Sequence, residues 1–295
     1  MSVSAAMVKE LRERTGLGML ECKKALAETA GDIDAAIELL RKSGQAKADK
    51  KAGRIAAEGQ VVQVISADGK TAAMVEVNCE TDFVANGDEF GSFAKAVAEK
   101  VLSNNPADVD ALSALTIDGG KTIDERRREL VTKLGENISI RRFQRLHSEG
   151  GQFSGYMHGV RIGVLVDIVA GNHALGKDIA MHVAACRPIA ISENDVDPAV
   201  LAKEKEIYHV QASESGKPAD IVEKMVAGRV RKFLAEVTLL GQPFVKDPDV
   251  SVSKLLDKSN SKVMQFVRYE VGEGIEKKVE NFAEEVAAQV AGSAR

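Results

Sequence analysis

Tryptophan is absent from this 295-residue chain, and only 9 Phe and 3 Tyr supply aromatic rings. None of those rings precedes Phe83. Stacking platforms for unpaired bases are built from aromatic side chains, so the segment before Phe83 holds none. Cysteine is equally scarce: Cys22, Cys79 and Cys186 are odd in number, far apart and without CxxC spacing. They read as small core residues in a reducing compartment rather than as a disulfide frame or a metal site. No apolar run approaches the ~18 residues of a membrane span. The N-terminal MSVSAAMVKELRER also lacks the apolar stretch of a secretory signal. Excess charge of one sign is missing as well. Lys and Arg number 40 against 44 Asp and Glu, a net charge of −4, so nothing global draws the chain to nucleic acid or an anionic membrane. The expectation is a cytoplasmic protein with no membrane partner and no direct nucleic-acid partner.

What is present is a globular composition, 44% hydrophobic and 28% charged, over a length that suits about two domains. Residues 1–45 carry three amphipathic periods: Met7, Val8 and Leu11; Met19, Cys22, Ala25 and Leu26; Ile33, Ala36, Ile37 and Leu40. Gly16 and Gly18 punctuate the first pair, and Gly31-Asp32 supplies a stop followed by an N-cap. A three-helix N-terminal domain is predicted there, followed by a basic, partly helical linker over 46–57. From Glu58 the period changes to two. GQVVQVIS, the turn Ala67-Asp68-Gly69 and KTAAMVEVNC predict a hairpin, then come the loop ETDFVANGD and a helix from Glu89 to Ser103. A further helix over about 122–134 stops at Gly135, and NISIRRFQRLH closes the unit as a strand.

The same order then recurs. GQFSGYMHG and RIGVLVDIVAG repeat the hairpin, LGKDIAMHVAACRP repeats the helix, and VMQFVRYEVGEG repeats the closing strand. The fold class predicted is α+β, with a duplicated core of antiparallel strands: subdomain 58–148, subdomain 149–274, and a C-terminal helical module over 275–295. The second copy carries a helical hairpin insert over 198–239, broken at Glu214-Ser215-Gly216-Lys217-Pro218. Val222, Val226, Val230 and Phe233 give its second helix an apolar seam, and Val200 and Ile207 sit a heptad apart in the first. Two readings stay open for this hairpin: a self-contained arm, or a coiled-coil-like surface for a partner or a second copy in a homodimer.

Chemistry-bearing patterns are few. Gly171 to Asp178 imitates a phosphate-binding loop, but Asp178 stands where a Mg²⁺-ligating hydroxyl is required, and the preceding strand belongs to a hairpin. A nucleotide-binding enzyme using 171–178 is therefore a weak alternative. The basic run Arg41 to Arg54, with six cations and one acid, offers an RNA-binding adaptor as another, against a solvated linker face. The five histidines form no metal motif; His182 reads as a satisfied core histidine, and His158 lies in a tight turn. Phe83, just beyond a strand end, admits two readings. Phe is commonly buried, yet an aromatic on a short anchored loop also suits a wedge for a partner's pocket.

Eight segments carry a resemblance in order along nearly the whole chain: LRERTGLGMLECKKAL (11–26), NCETDFVAN (78–86), LGENISIRR (134–142), HGVRIGVLV (158–166), KDIAMHVAA (177–185), SGKP (215–218), GQPFV (241–245) and RYEVGEGIEKK (268–278). Together they closely resemble the bacterial elongation factor Ts family. The resemblance implies a translation factor that binds elongation factor Tu, nucleotide-free or with GDP, and promotes guanine nucleotide exchange, with no cofactor, no metal and no catalytic residue of its own. It also implies an N-terminal domain similar to ubiquitin-associated modules. Thr81, Asp82, Phe83 and Val84 would form the motif that dislodges Mg²⁺ from Tu, with Phe83 entering between helices of its nucleotide domain. Lys23, Leu134, Gly135 and His158 would be further contacts, as would the C-terminal stretch Asn281 to Val290.

Overall fold

The structure is a computed structural model that describes residues 3–276. The C-terminal module falls outside the described residues from 277 onward, and with it the Asn281 to Val290 contact. Three helices open the chain: α1 (Ala5–Thr15), α2 (Met19–Glu28) and α3 (Ile33–Lys51). Asp32 caps α3 by accepting the amide of Ala35 at 2.9 Å, and Gly16 closes α1 in the left-handed region at φ 69°. Val8, Leu11, Cys22, Ala25, Leu26, Ala36 and Leu40 make the small core between them. Met19, expected on the inner face of α2, is 58% exposed, because the buried face of that helix starts one turn later at Cys22.

The next stretch forms β1 (Glu58–Ile65), β2 (Thr71–Cys79), α4 (Asp82–Ala85), α5 (Asp88–Asn104), α6 (Val109–Ala114), α7 (Ile123–Leu134) and β3 (Ser139–His147). Its strands pair antiparallel in the order β1-β2-β3. α3 runs on past residue 45 into the basic stretch because two small residues one turn apart seat it on the rest of the chain. A Cβ on Gly44 would stand 2.9 Å from Thr132 Oγ1 of α7, and Ala48 is buried in the core of the first sheet.

A second set follows: β4 (Gln152–His158), β5 (Ile162–Val169), α8 (His173–Cys186), α9 (Pro198–Ser213), α10 (Ala219–Val237), β6 (Pro243–Phe244), β7 (Asp247–Ser251), α11 (Val252–Lys258) and β8 (Lys262–Glu270). Here the antiparallel order is β4-β5-β8. α6, β6, β7 and α11 are additions to the sequence reading; each is too short to display a period. The overall class is mixed α+β.

The middle strands explain the arrangement. In β2, Ala73, Val75 and Val77 pack against α5, whereas Ala72 and Met74 face the other sheet. In β5, Val164, Val166 and Ile168 pack against α8, whereas Leu165 faces inward. Both strands are covered on both sides, so they read as nearly continuous apolar runs rather than alternating ones. The two sheets therefore lie face to face, with Val61, Met74 and Leu146 meeting Phe153, Leu165 and Tyr269, and one long helix covers each outer side. Gly163 permits the close approach: a Cβ there would stand 2.6 Å from Val61 Cγ1. Each sheet also carries one register shift, between Glu76 and Val77 in β2 and between Asp167 and Ile168 in β5.

α9 and α10 form the inserted hairpin. Ala212, Val222 and Val226 are its buried residues, with Tyr208, Met225 and Val230 packed on them. Val200 and Ile207, a heptad apart, are exposed on α9, while Tyr208 and Ala212 supply its inner side.

Candidate partner-binding site

The segment read as the loop ETDFVANGD contains one helical turn, α4. Thr81 is its N-cap, extended at φ −123° and ψ 157°, and its hydroxyl accepts the amide of Val84 at 3.4 Å. At the other end, the buried Gln60 of β1 donates from Nε2 to the carbonyl of Ala85 at 2.6 Å. Ala85 is buried and Val84 is half-buried on the first sheet's core, so the turn is fastened by its third and fourth residues. Phe83 points the other way. At 87% exposed it is the most open of the large apolar side chains described, which overturns the core reading of this residue. Asp82 is exposed beside it, and the two line an open depression with Glu58, Glu80, Thr81 and Arg161.

Glu136 and Asn137, which sequence reasoning passed over, secure this turn from below. Glu136 Oε2 accepts the amides of Glu80 at 3.1 Å and Thr81 at 2.9 Å, while Oε1 accepts the Thr81 hydroxyl at 2.5 Å. Asn137 donates its amide to Glu80 Oε1 at 2.6 Å and its side-chain nitrogen to the carbonyls of Ala52 and Arg54. The available signal was an acid and an amide between a glycine helix stop and an apolar strand. Beneath the turn, burial and the nearby Glu136 and Glu58 carboxylates push the Cys79 thiol up to about 12, so it stays protonated and unreactive.

Leu134 and Gly135 end α7 directly before Glu136, Gly135 in the left-handed region at φ 82°, with Lys51 donating to its carbonyl. His158 is exposed at the end of β4, near the Tyr156 hydroxyl at 3.3 Å. Arg161, on the same β4–β5 turn, reaches the depression and pairs with Glu58. The fold thus gathers Thr81–Val84, Leu134–Gly135 and the turn following His158 at one end of the facing sheets. Lys23 is exposed on α2, in the three-helix domain.

The competing sites do not assemble. Asn172 caps α8 by accepting the Leu175 amide at 2.8 Å, Asp178 pairs with Lys246 at 2.6 Å, and a Cβ on Gly176 would meet Ser154 Oγ at 2.3 Å. A helix start closed by its own cap and packed onto β4 leaves no cradle for phosphates. In the basic run, Arg41 bonds Glu125, Lys42 Glu38, Lys47 Glu21 and Arg54 Glu80, while Lys51 bonds the Gly135 carbonyl. Those cations already have partners within the chain, which weakens the RNA-adaptor reading. His182 is fully buried, within 2.9 Å of Gln242 Oε1 through Nε2, and accepts the Val245 amide at Nδ1. Among the described residues, no three His, Cys, Asp or Glu side chains are grouped to hold a metal ion, and no helix is long and apolar enough to cross a membrane.

An exposed aromatic on a fastened turn, beside loops drawn from both sheets, suits a protein-binding factor, here of mixed α+β fold. Comparison with known proteins gives the particular family. The profile described as Elongation factor TS matches residues 80–273. The elongation factor Ts of Thioalkalivibrio sulfidiphilus is 63% identical over 294 residues, 99% of this chain and 100% of that protein. Its counterpart in Methylococcus capsulatus is 60% identical over 293 residues, 99% and 100% of the two chains, and that of Legionella pneumophila strain Paris 54% over 289, 98% and 99%. The chain belongs to the elongation factor Ts family. Its function is accordingly nucleotide exchange on elongation factor Tu in the bacterial cytoplasm, without covalent chemistry of its own.

Proposed function

We propose that Thr81–Val84 is the element with which this exchange factor opens the nucleotide site of Tu. Phe83 enters between helices of the Tu nucleotide domain, Asp82 comes to lie beside the Mg²⁺ site, and the metal is dislodged. Lys23, Leu134, Gly135 and His158 hold the same partner. The observation that carries this reading is the 87% exposure of Phe83 on a turn whose two flanks are tied down.

Linkage sets the energetic demand. A factor that binds nucleotide-free Tu more tightly than GDP-bound Tu weakens GDP by the same ratio. A 10⁴-fold effect requires about 5.5 kcal/mol of differential binding. Burying one Phe supplies about 1.5–3 kcal/mol. The remainder has to come from lost Mg²⁺ neutralisation at the phosphates and from the other contacts, so a spread interface is required. Replacing Phe83 by Ala should slow stimulated GDP release by about tenfold to 150-fold, 1.4 kcal/mol being tenfold. Release at the parent rate by a folded variant would remove Phe83 from the mechanism.

The finer architecture belongs to the same proposal: a ubiquitin-associated-like domain over 1–45, a linker over 46–57, core subdomains 58–148 and 149–274 descended from one unit, and a helical module over 275–295. Duplication is supported by the shared strand–strand–helix–strand order and by the register shift in each middle strand after a buried acid, Glu76 or Asp167.

A further inference from the structure

α4 has four residues, far fewer than a helix needs to persist alone in water, so its shape has to come from its surroundings. One carboxylate dominates them. Glu136 accepts three hydrogen bonds, two from consecutive amides and one from the Thr81 hydroxyl. A hydroxyl has one proton, and here Glu136 takes it. The Thr81 oxygen is left as an acceptor, and it receives the Val84 amide on the far side of Phe83. Glu136 thereby sets the polarity of the cap as well as its position. Leu134 and Gly135 precede it directly in sequence, so one side chain fixes the spacing between two of the expected contact elements.

We propose that Glu136 is a positioning residue for nucleotide exchange, holding the Thr81 cap so that Phe83 is presented outward before Tu arrives. The proposal rests on the reading of Phe83 given above. Glu136 touches neither nucleotide nor metal; it acts through Phe83, and the loss on removing it therefore depends on Phe83 being there to position.

The test is stimulated GDP release from Tu at saturating factor, measured for the parent, Glu136→Ala, Glu136→Gln, Phe83→Ala and the Phe83→Ala/Glu136→Ala double variant. Thermal unfolding of each checks the fold. Glu136→Ala should release GDP about tenfold more slowly. Glu136→Gln, which keeps an acceptor oxygen for the two amides, should recover part of that loss. In the double variant the rate should stay within about twofold of Phe83→Ala alone, the non-additivity expected of residues acting as one unit. A merely structural role would slow both backgrounds by the same factor, and multiplied losses overturn the proposal. A parent-like rate for Glu136→Ala beside a slow Phe83→Ala overturns it while leaving the Phe83 reading intact. A parent-like Phe83→Ala removes that reading and the positioning role with it. Should Glu136→Ala fail to fold, Thr81→Val, which deletes the hydroxyl arm and leaves the carboxylate, carries the same expectation.

Discussion

Replacing Glu76 by Ala removes a fully buried carboxylate that four donors share: the Gly272 amide at 2.8 Å, Arg142 Nε at 2.6 Å, Arg141 Nη1 at 3.0 Å and Asn78 Nδ2 at 3.2 Å. The Gly272 bond joins the first sheet to the turn after β8 in the second, and the Arg142 guanidinium also lies 4.2 Å from the Tyr269 ring centre. Deleting one member of a buried ion pair costs about 3–5 kcal/mol, because the partner charges remain. The side chains of Arg141 and Arg142 are 27% and 32% exposed and reach water once freed, which sets the loss near the lower end, about 3 kcal/mol. At about 2–4 °C per kcal/mol for a domain of this scale, the calorimetric midpoint at neutral pH should fall by about 6–12 °C. Acid supplies an independent check. Burial alone would raise the Glu76 pKa, but the Gly272 amide, Arg142 and Arg141 outweigh it and hold the group below its ordinary 4.5. With a depressed folded pKa, the stabilisation is complete above 4.5 and disappears as pH falls through the folded value. The gap between parent and variant should therefore narrow under acid. A midpoint shift below about 2 °C, or a gap that ignores pH, would refute this account of the inter-sheet contact.

Packing and protonation give two further expectations. Gly163→Ala forces a Cβ to within 2.6 Å of Val61 Cγ1 and 3.1 Å of Met157 Sδ, so the two sheets must separate; a loss of about 1–3 kcal/mol in denaturant unfolding is expected. Burial pushes the His182 imidazole below its ordinary 6.5, with the Gln242 bond opposing. Its contribution is thus whole above 6.5 and lost as pH falls through the folded value, so the urea midpoint of the parent should drop more steeply from pH 6.5 downward than that of His182→Gln.

Local signals in the sequence were strong where the physics is local. Asp32, Gly16, Gly135 and the Asp68-Gly69 turn act through their own backbone, and the helices and hairpin they bound stand where their spacing places them. Phe83 was ambiguous because an aromatic looks the same in sequence whether it faces a core or water. Only the fastening of Val84 and Ala85 decides which way the ring points. Glu136 was invisible for a related reason: its three donors lie 55 and 56 positions earlier, and no local pattern announces a long-range bond. The spacing of Val200 and Ile207 marks one face of α9, but spacing alone does not say that Tyr208 and Ala212 would take the inner side of the hairpin.

The bonds that hold α4 all lie within this chain, and that bears on how the factor cycles. Segments that fold on meeting a partner give up several kcal/mol of interaction energy to ordering, and they lose that order on release. The turn at Thr81 is shaped beforehand, so on the role proposed for Phe83 it has no such ordering to complete when Tu binds. On that proposal the transfer energy of the ring remains available as a difference between two states of the partner. The same proposal requires no refolding of this turn between one encounter and the next.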